Sequence, residues 1–161
     1  MSLDNRPIYA GGCQCGAVRF RIEGALRDAS VCHCRMCQKA FGSFYAPLVT
    51  VDPASLRWTR GEPKLFRSSN HAQRGFCGDC GTPLSYMAPE ELSLAIGAFD
   101  DPASIAPVQQ WDVESKLPYV DDVTSLPAVR ADESEETADI VSLQHPDFET
   151  TEWPLHDRKP A

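Results

Sequence analysis

Seven cysteines constrain this chain more than any other feature, because they arrive in three tight clusters. Cys13 and Cys15 form the first, Cys32, Cys34 and Cys37 the second, and Cys77 and Cys80 the third. An odd number cannot pair off completely within one chain. The first dozen residues lack the charged-then-apolar layout of an export signal. The expected setting is therefore the reducing cytoplasm, where lasting disulfides are rare. Thiols one or two residues apart converge on a metal ion more readily than they cross-link. Zinc is the expected metal, since thiolates favour it and a tetrahedral site tolerates such spacings.

Seven divides naturally into four and three. Four cysteines close a tetrahedral zinc, whereas three leave a position for water or substrate. Each outer pair supplies half a tetrahedron, so the spacing assigns Cys13, Cys15, Cys77 and Cys80 to a structural zinc. Cys32, Cys34 and Cys37 are then the open, catalytic set, giving two zincs per chain. The alternative is one structural zinc with three buried or spare thiols. Gly11-Gly12-Cys13-Gln14-Cys15-Gly16 and Cys77-Gly78-Asp79-Cys80-Gly81 read as knuckles in which glycine lets the backbone curl around an ion. A shared ion would clip a long loop, with 61 residues between the half-sites. Structural zinc contributes roughly 10–16 kcal/mol in small zinc peptides, against roughly 5–15 kcal/mol for the net stability of a domain.

The open set has its own electronics. Three thiolates on a divalent ion leave a formal charge of −1, a weaker Lewis acid than three neutral histidines would give. An incoming thiol, which becomes a metal-held thiolate, suits such a site better than water does. Thiol addition or release comes first, hydrolysis second. His33 lies between two of these cysteines and in extended backbone points the other way, as a packed or hydrogen-bonding residue rather than a fourth ligand. Arg35, Lys39 and Arg74 flank the clusters and are candidate contacts for the carboxylates of an acidic thiol. Ser68-Ser69-Asn70-His71 reads as a polar loop, with a substrate-backbone contact as the alternative.

The rest of the chain predicts a mainly β protein. Val18, Phe20 and Ile22 alternate with Arg19, Arg21 and Glu23, a half-buried strand over 17–24. Further strands are expected over 44–51, 56–59, 64–68, 73–76, 83–88, 92–97 and 109–114. Arg35–Phe41 reads as the one short helix. The 161 residues suffice for a single core, and 42% hydrophobic residues exclude wholesale disorder. A net charge of −8 argues against a nucleic-acid surface, and no apolar run approaches the roughly 18 residues of a membrane span. Composition shifts near residue 128. Residues 1–128 read as the zinc-binding domain and 129–161, with nine acidic and three basic residues, as an acidic tail. Asp132-Glu133-Ser134-Glu135-Glu136 is expected to be solvated or disordered. Ile140-Val141-Ser142-Leu143 is a candidate docking strand or homo-oligomer contact.

Three segments, Gly12–Phe20, Cys32–Ser43 and Phe76–Thr82, resemble the signatures of the glutathione-dependent formaldehyde-activating (GFA) enzyme family. Gly97-Ala98-Phe99-Asp100-Asp101-Pro102 and Glu114-Ser115-Lys116-Leu117-Pro118 are similar to two later family segments, so the resemblance runs in register over residues 8–128. It implies an Mss4-like fold of small antiparallel sheets with one short helix. It also implies a closed zinc from the first and third clusters and a catalytic zinc from the middle one. The activity implied is that of a carbon–sulfur lyase of the S-(hydroxymethyl)glutathione synthase type. Such an enzyme joins a glutathione-like thiol to a small aldehyde such as formaldehyde, or reverses a related thioether adduct. One departure stands out: relatives commonly have histidine in a Pro-x-x-His segment, and this chain reads Pro107-Val108-Gln109-Gln110. Gln110 cannot act as acid or base. Two other readings compete, a non-catalytic Mss4-like module that binds a protein or thiol ligand, and a sensor that releases the triplet on oxidation.

Overall fold

Among the described residues, short alternating segments punctuated by glycine and proline fold as ten strands in two sheets. The computed structural model describes residues 6–131 and 140–152; the acidic run Asp132-Glu133-Ser134-Glu135-Glu136 lies outside them. The smaller sheet has the order β1-β2-β5, from β1 (Ile8–Gly12), β2 (Arg19–Glu23) and β5 (Leu56–Arg60). The larger sheet contains β3 (Arg27–Cys32), β4 (Ala46–Thr50), β6 (Lys64–Arg67), β7 (Gln73–Phe76), β8 (Pro83–Ala88), β9 (Glu91–Ala95) and β10 (Gln109–Trp111). Its order is β10-β3-β4-β9-β8-β7-β6. The α-helix α1 (Arg35–Phe41) connects β3 to β4, and the remaining helical turns among the described residues are short 3-10 segments. No helix among them is long and apolar enough to cross a membrane.

All strand pairs are antiparallel except β10 with β3, where Trp111 stands opposite Cys32. That parallel edge places the 109–112 segment beside the middle cysteine cluster. The main core lies between the sheets, around Phe20, Ile22, Val49, Leu84 and Leu94. Phe20 meets Phe99 and Trp58 edge-on, with ring centroids 5.1 and 6.0 Å apart, an arrangement that suits the ring quadrupoles.

Alternation along β2 works for Phe20 and Ile22 but not for Arg19, which is only 2% exposed. Its guanidinium forks onto Asp100 at 2.8 and 2.6 Å, and Nη2 also reaches Glu149 at 3.0 Å. A buried guanidinium needs such a paired carboxylate, and both partners are remote in sequence. The 92–97 segment is a strand only to Ala95, where the chain turns through Ile96–Ala98. Two strands go unsignalled in the sequence: β1 ends in glycines, and β3 is largely polar.

The 140–143 segment forms no strand, and Ile140 and Val141 are exposed. The following residues do dock. The His145 amide donates to Gln14 O at 2.7 Å. Arg60 donates through Nη1 to Gly16 O at 3.1 Å and through Nη2 to Thr150 Oγ1 at 3.1 Å. With Glu149 on Arg19, this stretch forms a strap across the first knuckle and the smaller sheet.

Candidate metal centres and their cavity

The two outer cysteine pairs sit on related glycine-closed turns that differ by one residue in length. Gly16 donates its amide to Cys13 O and Gly81 donates to Cys77 O, each at 3.0 Å. Both glycines have left-handed backbone, φ 77° and 79°, which a side chain would disfavour. Backbone amides also point at the sulfurs, from Val18 to Cys13 Sγ at 3.2 Å and from Asp79 to Cys77 Sγ at 3.4 Å. The β1–β2 and β7–β8 pairings each close one of these turns, and Gln14 N donates to Thr82 Oγ1 across them at 3.0 Å.

The Sγ atoms of Cys13, Cys15, Cys77 and Cys80 all lie within 4.8 Å of one another. Cys13 and Cys15 are 3.5 Å apart, and Cys15 and Cys77 are 3.7 Å apart. A tetrahedral zinc with bonds of about 2.3 Å separates its sulfurs by about 3.8 Å. The four residues therefore fit such an ion. Cys13 and Cys77 are buried and Cys80 is exposed. Burial, foremost, pushes the Cys13 and Cys15 thiols up. Burial pushes Cys80 up, but hydrogen bonds from Thr82 and Cys15 together bring it down to about 6.

Cys32, Cys34 and Cys37 form the second group, again within 4.8 Å of one another. Cys32 ends β3, Cys34 caps α1 by accepting the Cys37 amide at 3.4 Å, and Cys37 lies in the helix. Gln38 braces this loop, donating Nε2 to His33 O at 2.7 Å and to Ser115 O at 3.0 Å. His33 points away from the sulfurs, as its place between Cys32 and Cys34 predicts. It is 1% exposed, and its ring Nε2 faces Gln110 Oε1 at 2.9 Å. Because that oxygen can only accept, Nε2 is the donor. Gln110 is thus the partner of a buried histidine.

The triplet is polarised. Hydrogen bonding from Cys32 is the largest cause that brings Cys37 down to about 5, with the Arg74 guanidinium adding to it against burial. Cys32 is pushed up, first by that same hydrogen bond and then by burial and the Asp112 carboxylate. Arg74 Nη2 donates to Cys37 Sγ at 3.3 Å, and the Cys32 thiol donates to Asp112 Oδ2 at 3.1 Å. Three sulfurs within this reach fit three corners of a tetrahedral ion.

The triplet opens into a cavity of about 1060 Å³, walled by residues that include Arg27, Ser68, His71, Tyr86 and Trp111. That volume suits a ligand of small-peptide size. Cys32, Cys34 and Cys37 line it, and none of the other four cysteines does. Of the flanking cations, Arg74 lines the cavity, whereas Arg35 and Lys39 are exposed on α1 and are not part of its wall. Arg35 instead donates to Gln38 at 3.2 Å. Ser68 and Ser69 form part of the wall, and each has an intramolecular partner: Ser68 Oγ accepts from Arg74, and Ser69 Oγ accepts the His71 and Ala72 amides.

Asp112, Gln38 and Tyr86 escape a reading of the sequence. Asp112 has left-handed backbone, φ 53°, which aspartate tolerates better than most residues. That tolerance is the only local signal, and it does not reveal the proximity of Cys32.

A family model described as glutathione-dependent formaldehyde-activating enzyme matches residues 8–115. An uncharacterized lyase of Schizosaccharomyces pombe is 30% identical over 80 residues, half of this chain. The match spans 58% of that relative's length. A crystal structure of a Rhodobacter sphaeroides protein is 26% identical with a TM-score of 0.49, covering 63% of this chain and 98% of the other.

Proposed function

The chain belongs to the glutathione-dependent formaldehyde-activating enzyme family, and from that premise we propose that it is a lyase-type enzyme forming or breaking a carbon–sulfur bond between a thiol and a small aldehyde. One observation carries the reading: three convergent thiols line a cavity of about 1060 Å³, while the four-thiol group lies outside its wall. Zinc is the proposed occupant of both groups, and a reducing compartment suits a chain whose seven cysteines fall into these two clusters.

Cys32, Cys34 and Cys37 would hold the catalytic ion. When bound, it supplies a position at which the sulfur of an incoming thiol is held as a thiolate. The protein does the remaining work. Gln38 and the His33–Gln110 pair fix the loop that carries the thiols. Arg74 holds Cys37. The walls orient the substrate and thin out the water around it. In the addition, the thiol sulfur bonds to the carbonyl carbon as the C=O π pair moves to oxygen. The proton lost by the thiol ends on that oxygen, giving a hydroxyalkyl thioether; cleavage is the reverse. Glutathione and formaldehyde, the pair in the family's description, are the first substrates to test, and a tripeptide thiol suits the cavity volume.

The test is exchange spectroscopy by NMR, which reads interconversion of free thiol and adduct against the uncatalysed background. Exchange faster than background is expected for the wild type and lost in Cys34→Ser. Exchange no faster than background with a panel of thiols and aldehydes would rule the enzyme reading out.

A further inference from the structure

Arg74 is 7% exposed and spends its donors in an unusual way. Nε donates to Ser68 Oγ at 3.0 Å, Nη2 donates to Cys37 Sγ at 3.3 Å, and the guanidinium carbon stands 5.1 Å from the centre of the Tyr86 ring. Nη1 is buried without a hydrogen-bond partner. No ion pair among the described residues joins Arg74 to a carboxylate. A buried permanent cation is costly unless a counter-charge compensates it, and the sulfur cluster is what this cation touches. Arg19 makes the contrast, buried as well but forked onto Asp100.

We propose that Arg74 is the charge-balancing residue of the three-cysteine site, offsetting its thiolates so that the site takes an anionic sulfur as a further ligand in preference to a neutral donor. The inference rests on the reading of the triplet as a metal–thiolate centre. Three thiolates around a divalent ion carry −1; the Asp112 carboxylate beside Cys32 adds to that negative charge and the Arg74 guanidinium beside Cys37 offsets it. A thiol that binds and gives its proton to the buffer adds one further negative charge, and Arg74 keeps the resulting total one unit less negative than it would otherwise be. Arg74 acts through Cys37 and the field it sets, so it is a positioning residue. Its role in this structure differs from clasping a substrate carboxylate, because its nitrogens are committed or enclosed.

The test uses the full chain with cobalt(II) in both cysteine groups, a metal with visible absorption that accepts the same ligands. 2-Mercaptoethanol and imidazole are titrated as anionic and neutral probes of wild type, Arg74→Gln and Arg74→Lys. Arg74→Gln should weaken mercaptoethanol by roughly 10- to 100-fold, the range for losing a charge-assisted hydrogen bond, and leave imidazole unchanged. Arg74→Lys should restore most of the thiol affinity. An equal loss for both probes, or no loss for the thiol, overturns the role of Arg74 while leaving the metal–thiolate reading intact. One cobalt per chain, or a triplet spectrum that neither probe alters in the wild type, overturns both. If Arg74→Gln fails to fold, Ser68→Ala carries the test, since it removes only the Nε anchor. A selective weakening of mercaptoethanol then supports the proposal, and an unselective or absent effect refutes it.

Discussion

The two cysteine groups use the same atoms in opposite ways. The group of four is assembled from two turns far apart in the chain, at the ends of strands in different sheets, and two of its sulfurs are buried. The 140–152 strap adds a further long-range tie at Gln14 and Gly16. The group of three comes from six consecutive residues, braced locally by α1 and Gln38, and it faces a cavity. A ligand set gathered from a distance restricts the unfolded chain and stabilises the fold. A ligand set gathered locally restricts little, and its sulfurs remain accessible for chemistry. In the proposed assignment, position in the chain, rather than ligand type, divides a structural task from a reactive one.

Cys77→Ser attacks the long-range group and should have the largest effect. Loss of an ion that contributes on the scale of domain stability, about 10 kcal/mol, should leave the protein unfolded at room temperature by circular dichroism. A folded Cys77→Ser protein would erase the distinction between the groups. Asp100→Asn comes next. It leaves the Arg19 guanidinium with only the half-exposed Glu149 as a charged partner, and about 3 kcal/mol of stability should be lost in urea denaturation.

The strap supplies a smaller, pH-dependent effect. Burial first, and then the nearby Arg19 charge, hold His145 below its ordinary value of 6.5. The folded state thus keeps His145 neutral where the unfolded chain already binds a proton. Stability from this residue is intact above pH 6.5 and falls as the pH drops below it. Urea midpoints between pH 7.5 and 5.5 should decline more steeply in the wild type than in His145→Gln; parallel declines would show that His145 is not the sensor. Cys34→Ser should perturb stability least, by under about 1 kcal/mol, because serine can still cap α1. It should nevertheless abolish thiol–aldehyde exchange while thermal denaturation stays near wild type, completing the contrast with Cys77→Ser.

Much of this was legible in the residues. The cysteine spacings separate the chain into the two groups that the fold brings together. Arg35–Phe41, Gln73–Phe76 and Pro83–Ala88 form where their patterns predict, because helix capping at Cys34 and alternation between turns are local properties. His33 was readable as well, since extended backbone sends neighbouring side chains to opposite sides.

What the sequence alone determined is the short-range chemistry: which thiols neighbour one another, which segments alternate, and where glycine permits a knuckle. Packing across the sheets buries Arg19 against Asp100 and Glu149, 81 and 130 residues away. The tertiary fold alone set β10 parallel to β3, placed Asp112 against Cys32, and left Arg74 enclosed with Cys37 Sγ as a hydrogen-bond acceptor. Charge burial and cavity walls depend on partners that meet only after the sheets pair, and no local pattern encodes which partner a distant strand will bring.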